Sequence, residues 1–129
     1  MTFIAWDESL GLHIDEIDEE HKTLIHIMNN LYEQNKAGAS SETIKATLTE
    51  LSAYATLHFS DEEDYMASIN FPDLEAHRAI HQRLLQKVNS FSREYSEKSG
   101  NIPTEFFAFL KIWITSHIKG VDIKYANAS

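Results

Sequence analysis

The chain has no cysteine. Disulfides, thiolate zinc sites and cysteine-ligated iron–sulfur clusters are therefore excluded, and any metal must take nitrogen or oxygen donors. Proline and glycine are scarce, at two and four, and most fall where segments join, so the long stretches between carry few helix breakers. Positive charge is also short: 11 Lys and Arg face 20 Asp and Glu, a formal charge of −9. That balance argues against nucleic acid or an anionic membrane as partner, since both require a basic face. No apolar run approaches the roughly 20 residues of a membrane-spanning helix. The opening from Met1 to Trp6 is too short and uncharged for a secretion signal before Asp7 and Glu8 interrupt it. The expectation is a soluble cytoplasmic protein, and 129 residues suit a single domain whose core needs no covalent staple. Histidine, by contrast, is abundant, with seven in so short a chain.

The hydrophobic pattern predicts an all-α fold. An irregular N-terminal arm over residues 1–17 leads into four helices at about 18–37, 41–66, 72–97 and 103–119. Asp18 is the expected N-cap of the first and Gly38 its stop, while Ser40 or Ser41 caps the second. Pro72 suits the first turn of the third, Ser99-Gly100-Asn101 breaks the chain, and Pro103 opens the fourth, which ends near Gly120. Connections this short pack successive helices antiparallel, as an up-down-up-down four-helix bundle.

Each predicted helix carries one apolar stripe at i, i+3, i+4, i+7 spacing. The first has Leu24, Ile25, Met28, Leu31 and Tyr32, with His21 continuing the row backwards. The second has Ile44, Leu48, Leu51 and Ala55, then His58, Glu62 and Met66. The third sets His77 and His81 in a row with Leu74, Leu84, Val88 and Phe91, and the fourth runs Phe106, Leu110, Trp113, Ile114, His117. Five histidines and a glutamate thus stand where the pattern calls for hydrophobes. His26, about 140° round the helix from His21, does not, and His13 lies in the arm.

Level matters as well as face. His21, His77 and His81 are near helix starts, whereas His58, Glu62 and His117 are near helix ends. In an antiparallel bundle those termini share one end, so the six converge on one layer, and Asp122 can fold back over it. A lone buried carboxylate costs several kcal/mol; a metal cluster removes that cost by taking imidazoles and carboxylates as ligands. The pair His77-x3-His81 alone says little, since it lacks the glutamate that follows the first histidine in zinc-protease helices. In the run Asp61-Glu62-Glu63-Asp64, which has no glycine turn and does not fit a calcium loop, Asp61, Glu63 and Asp64 read as a solvated helix face.

With these residues in view, the sequence resembles the haemerythrin family, in its short single-domain bacteriohaemerythrin form. The matching pieces are Ile17-Asp18-Glu19-Glu20-His21, His58-Phe59-Ser60-Asp61-Glu62, His77-x3-His81 and His117-Ile118-Lys119-Gly120-Val121-Asp122, with Trp6 in the arm. The resemblance implies a non-haem centre of two iron ions. His77, His81 and His117 would bind one, His21 and His58 the other, and Glu62 and Asp122 would bridge both beside an oxo or hydroxo group. It further implies that dioxygen enters at the five-coordinate ion and leaves again. Ile25, Phe59, Trp113 and Ile118 are expected to line that pocket. On this reading the chain is a monomeric oxygen carrier or store rather than an enzyme, its partner is dioxygen, and an oxygen-consuming protein is a further possible client. Two rivals remain open: a di-iron enzyme handling peroxide or nitric oxide, and a sensor of oxygen or iron, for which the short tail after Asp122 offers no output domain.

Overall fold

A computed structural model describes residues 3–6, 10–12, 14–98, 102–118, 122 and 124. Four helices follow in order: α1 (Asp15–Lys36), α2 (Ser41–Ser68), α3 (Leu74–Lys98) and α4 (Thr104–His117). No strand occurs among the described residues. α1 packs along α2, α2 along α3, and α4 returns against α1, which makes an all-α four-helix bundle. Leu24, Met28 and Leu31 of α1, Leu48 and Leu51 of α2 and Leu110 of α4 are wholly buried between the helices, each worth about 1.5–3 kcal/mol on leaving water. None of the described helices is long and apolar enough to cross a membrane.

The helix ends follow local chemistry. Ser40 caps α2 by accepting the Thr43 N–H at 3.2 Å. Both α1 and α2 stop in a left-handed residue, Gly38 at φ +69° and Asn70 at φ +55°. Behind each, a Schellman pair of backbone hydrogen bonds closes the end: Ala39 N–H to Gln34 at 2.9 Å and Gly38 N–H to Asn35 at 3.3 Å after α1, Phe71 N–H to Met66 at 2.9 Å and Asn70 N–H to Ala67 at 3.1 Å after α2.

Three expected boundaries are corrected. α1 begins at Asp15, with Ile14 in the cap position, so Asp18 is not the N-cap; its carboxylate instead accepts the Leu12 N–H at 2.9 Å and ties the arm to the first turn. Pro72 lies in the turn before α3, because Leu74 and His77 are the residues whose N–H groups bond back, to Phe71 and Asp73. Pro103 is the cap of α4 rather than its first helical residue, its ψ of 148° being extended. The expected break at Ser99-Gly100-Asn101 and the expected end of the fourth helix near Gly120 lie outside the described residues, as does His13.

The arm docks along the bundle. Ile4 donates its N–H to the Asn29 amide and accepts from it, both at 2.8 Å, while Phe3 stacks on Tyr32 at 4.6 Å and meets Phe107 edge-on. Leu10 and Leu12 are buried beside the first turn of α1.

Candidate metal centre

The antiparallel arrangement brings His21 from α1, His58 and Glu62 from α2, His77 and His81 from α3, and His117 from the end of α4 to one layer, where Asp122 joins them. All seven are buried: Glu62 and Asp122 are 0% exposed and the rings 1–7%. Pairs on one helix share a face because they lie four residues apart, as with His58 and Glu62 or His77 and His81. Asp122 needs a different device. In a regular α-helix it would point about 140° away from His117. Ile118 and Asp122 fall instead in a wider turn of the π type, in which residue i meets i+5, and Asp122 Oδ1 lies 3.0 Å from His117 Nε2.

All five rings direct Nε2 at the two carboxylates. His58 and His81 come within 3.3 and 3.2 Å of Glu62 Oε1, and His21 lies 3.6 Å from Glu62 Oε2. His77, like His117, approaches Asp122 Oδ1 at 3.0 Å, while His21 takes Asp122 Oδ2 at 3.2 Å. The donors accordingly form two groups: Glu62, His77, His81, His117 and Asp122 make one, His21, His58, Glu62 and Asp122 the other. Both carboxylates belong to both groups.

The donor set fits metal ions better than it fits itself. Among the described residues, His81 Nε2, His117 Nε2, both ring nitrogens of His21 and both oxygens of Asp122 are buried without a well-formed hydrogen bond, which costs about 1–3 kcal/mol per group when uncompensated. Two donors each about 2.1 Å from one ion, at right angles, lie about 3 Å apart, the separation seen here. Electrostatics point the same way. Burial presses the His21 ring toward neutrality, but Asp122 and Glu62 outweigh it and raise its pKa to about 9. Burial likewise pushes Glu62 and Asp122 up, and the surrounding imidazoles overcome it, so both stay below the usual carboxylate range. The layer holds negative charge and draws cations, whether protons or metal ions.

The expected pocket residues are all buried in the adjoining core: Ile25, Phe59, Trp113 and Ile118. Phe59 stacks flat on the His81 ring at 3.9 Å, and Trp113 meets Phe59 edge-on at 5.8 Å. His26 is exposed, with Nε2 near the Asn30 amide at 3.4 Å.

Two residues were not anticipated from sequence. His58 Nδ1 donates to Glu20 Oε1 at 2.7 Å, and His81 Nδ1 to Glu63 Oε2 at 2.8 Å. Glu63 is thus not part of a solvated face: it is half-buried and also takes the Arg78 Nε–H at 3.2 Å. Asp61 is half-buried too, against Glu20, whose carboxyl lifts its pKa to about 6; only Asp64 of that run is open to water. The only sequence signal was general: an imidazole that presents one nitrogen to a metal commonly gives the other to an acceptor, which calls for acids near the histidines without saying which.

Comparison with known proteins agrees with this geometry. The family model described as "Hemerythrin HHE cation binding domain" matches residues 12–128. The chain is 36% identical over 127 residues to a bacteriohaemerythrin of Clostridium acetobutylicum, covering 95% of this chain and 98% of that one. It is 35% identical to a myohaemerythrin of Riftia pachyptila, over 94% of this chain and 89% of the relative. A crystal structure of a haemerythrin point mutant superposes with a TM-score of 0.91 at 25% identity, covering 99% of this chain and 98% of that one. On fold, on the buried donor layer and on sequence together, the chain belongs to the haemerythrin family.

Proposed function

We propose that this chain binds dioxygen reversibly at two iron ions, as a carrier or store rather than as an enzyme. The observation that carries the reading is the pair of donor groups that share Glu62 and Asp122 but differ in histidines. His77, His81 and His117 would hold one ion and His21 and His58 the other, with Glu62, Asp122 and a solvent-derived oxo or hydroxo group between them. Three histidines and three bridges fill six positions; two histidines and three bridges leave one of six open. When bound, the iron pair supplies that open position and one electron from each ion.

The protein supplies the rest. Two carboxylates and a hydroxo bridge would leave a ferrous pair with about one net positive charge, the five imidazoles being neutral, which suits a buried site. Apart from Glu62 and Asp122, which would be taken up as bridges, the acids in contact with the rings are Glu20 and Glu63, and these lie behind them on Nδ1. Phe59 and Trp113, with Ile25 and Ile118, form the apolar wall, which excludes water and the proton sources that would convert bound gas to product. The names of the relatives from Clostridium acetobutylicum and Riftia pachyptila support the same reading.

The test is cyclic. The iron-loaded chain is reduced anaerobically, exposed to oxygen and purged with inert gas while its visible spectrum is recorded. A band that appears with oxygen and vanishes on purging, through several cycles, supports a carrier. A band that decays with release of peroxide or oxidation of an added substrate overturns it in favour of an enzyme.

A further inference from the structure

The carboxylates behind His58 and His81 differ in what else touches them. Glu63 binds His81 Nδ1 through Oε2 and the Arg78 guanidinium through Oε1, and Arg78 also reaches Glu75. Glu20 binds His58 Nδ1 and meets no cation of Lys or Arg among the described residues; its other neighbour is Asp61, a second acid. Glu20 and Glu63 are only 17% and 22% exposed, so water screens neither charge fully.

A carboxylate on the rear nitrogen of a ligating imidazole fixes the tautomer, leaves the Nε2 lone pair facing the ion and raises the donor strength of the ring. That push grows with the negative charge left uncancelled. Glu20 acts at full charge, through His58, on the donor group that contains His21. His21 Nδ1 is buried without an acceptor among the described residues, so on this side the push passes through His58. Glu63 acts through His81 on the three-histidine group, with Arg78 cancelling much of its charge.

We propose that Glu20 and the Glu63–Arg78 pair make the two iron positions electronically unequal, the position of His21 and His58 holding the ferric state more firmly. The inference rests on the di-iron reading above. It deepens that reading, because the position left open for a gas is then also the one that gives up its electron more readily. Glu20, Glu63 and Arg78 are positioning residues: none is among the seven donors, and each acts through an imidazole.

The experiment uses the full chain loaded with iron-57 and titrated anaerobically with dithionite. Each ferric ion takes one electron in turn, giving an upper and a lower midpoint potential, and Mössbauer and paramagnetic-resonance spectra follow the half-reduced form. Glutamine keeps a carbonyl acceptor for the ring N–H and removes only the charge. We expect E20Q to load two irons and to weaken the ferric state at its own position at least tenfold, raising the lower potential by about 59 mV for each factor of ten. E63Q should leave that lower potential within about 30 mV of wild type, a change of at most threefold in the ferric preference, because Glu63 acts through His81 on the other group and Arg78 already cancels much of its charge. R78Q should lower the upper potential by unmasking Glu63.

Equal shifts from E20Q and E63Q, no shift from either, or an upper potential indifferent to R78Q in the loaded protein would overturn the inference. Should E20Q fail to load, R78Q decides alone, since Arg78 is 41% exposed and pairs with Glu63 and Glu75, neither of them one of the seven donors. A wild-type chain that takes up no iron fails differently: it removes the di-iron reading and this inference with it.

Discussion

Chelating the metal out of the folded chain leaves Glu62 and Asp122 at 0% exposure with imidazoles as their counter-charges. In that state His21 is raised from its ordinary 6.5 to about 9, burial opposing the shift and the two carboxylates overcoming it. A group raised by folding contributes stability that is complete below its unfolded pKa and is lost as pH climbs through the folded one. For His21 the window runs from 6.5 to about 9, and a raise of that size corresponds to about 3 kcal/mol. Glu62 and Asp122 are lowered, so their contribution is present at neutral pH and is lost only in acid. The iron-free chain should therefore weaken steadily from pH 6.5 toward pH 9. For a domain of this size about 3 kcal/mol is a fall of roughly 10 °C in Tm. The loaded chain should do the opposite. Ligands bind metal in their deprotonated forms, so affinity rises with pH, and binding to the native state alone adds directly to stability. Thermal melts followed by far-UV circular dichroism, on chelated and loaded protein at steps between about pH 6 and pH 9, measure both slopes. An iron-free Tm that stays flat or rises across this range refutes the claim that a proton on His21 stands in for the metal.

Removing a donor should show first in metal content: His58→Ala and Glu62→Ala should each hold fewer than two irons per chain by elemental analysis, and wild-type loading in both would refute the ligand assignment. Phe59→Ala deletes the ring stacked on His81 and should cost about 3–5 kcal/mol in urea unfolding, with faster irreversible oxidation of the reduced protein. Gly38→Ala should cost about 1 kcal/mol, all of it from the backbone at φ +69°, because a Cβ there meets nothing within 4 Å. Asn29→Ala removes both hydrogen bonds to Ile4 and should cost about 1–3 kcal/mol, with proteolytic cleavage ahead of α1 as the local readout.

The helical stripes and the layer of polar residues within them were legible because both are periodic: burial repeats every three or four residues, and a histidine in that rhythm is conspicuous. Asp122 was legible as a nearby residue but not as one on the face of His117, because that depends on a π turn that the pattern does not announce. Asp18 shows the limit for caps. Its residue type suits an N-cap, yet Ile14 takes that position, and Asp18 serves the arm instead. Glu20 and Glu63 were the harder case. Nothing in their own helices separates them from the solvated acids beside them; their roles arise across helix interfaces, from α1 to His58 on α2 and from α2 to His81 on α3.

The wide turn that swings Asp122 toward His117 sets the order in which the site can be made. Glu62 emerges with the second helix, but its counterpart arrives only after the fourth has formed. A growing polypeptide thus carries imidazoles and one acid before the group that completes both halves of the centre exists. Were iron held by all seven donors, the full site could close only once Asp122 had joined the others, as a latch at the far end of the chain.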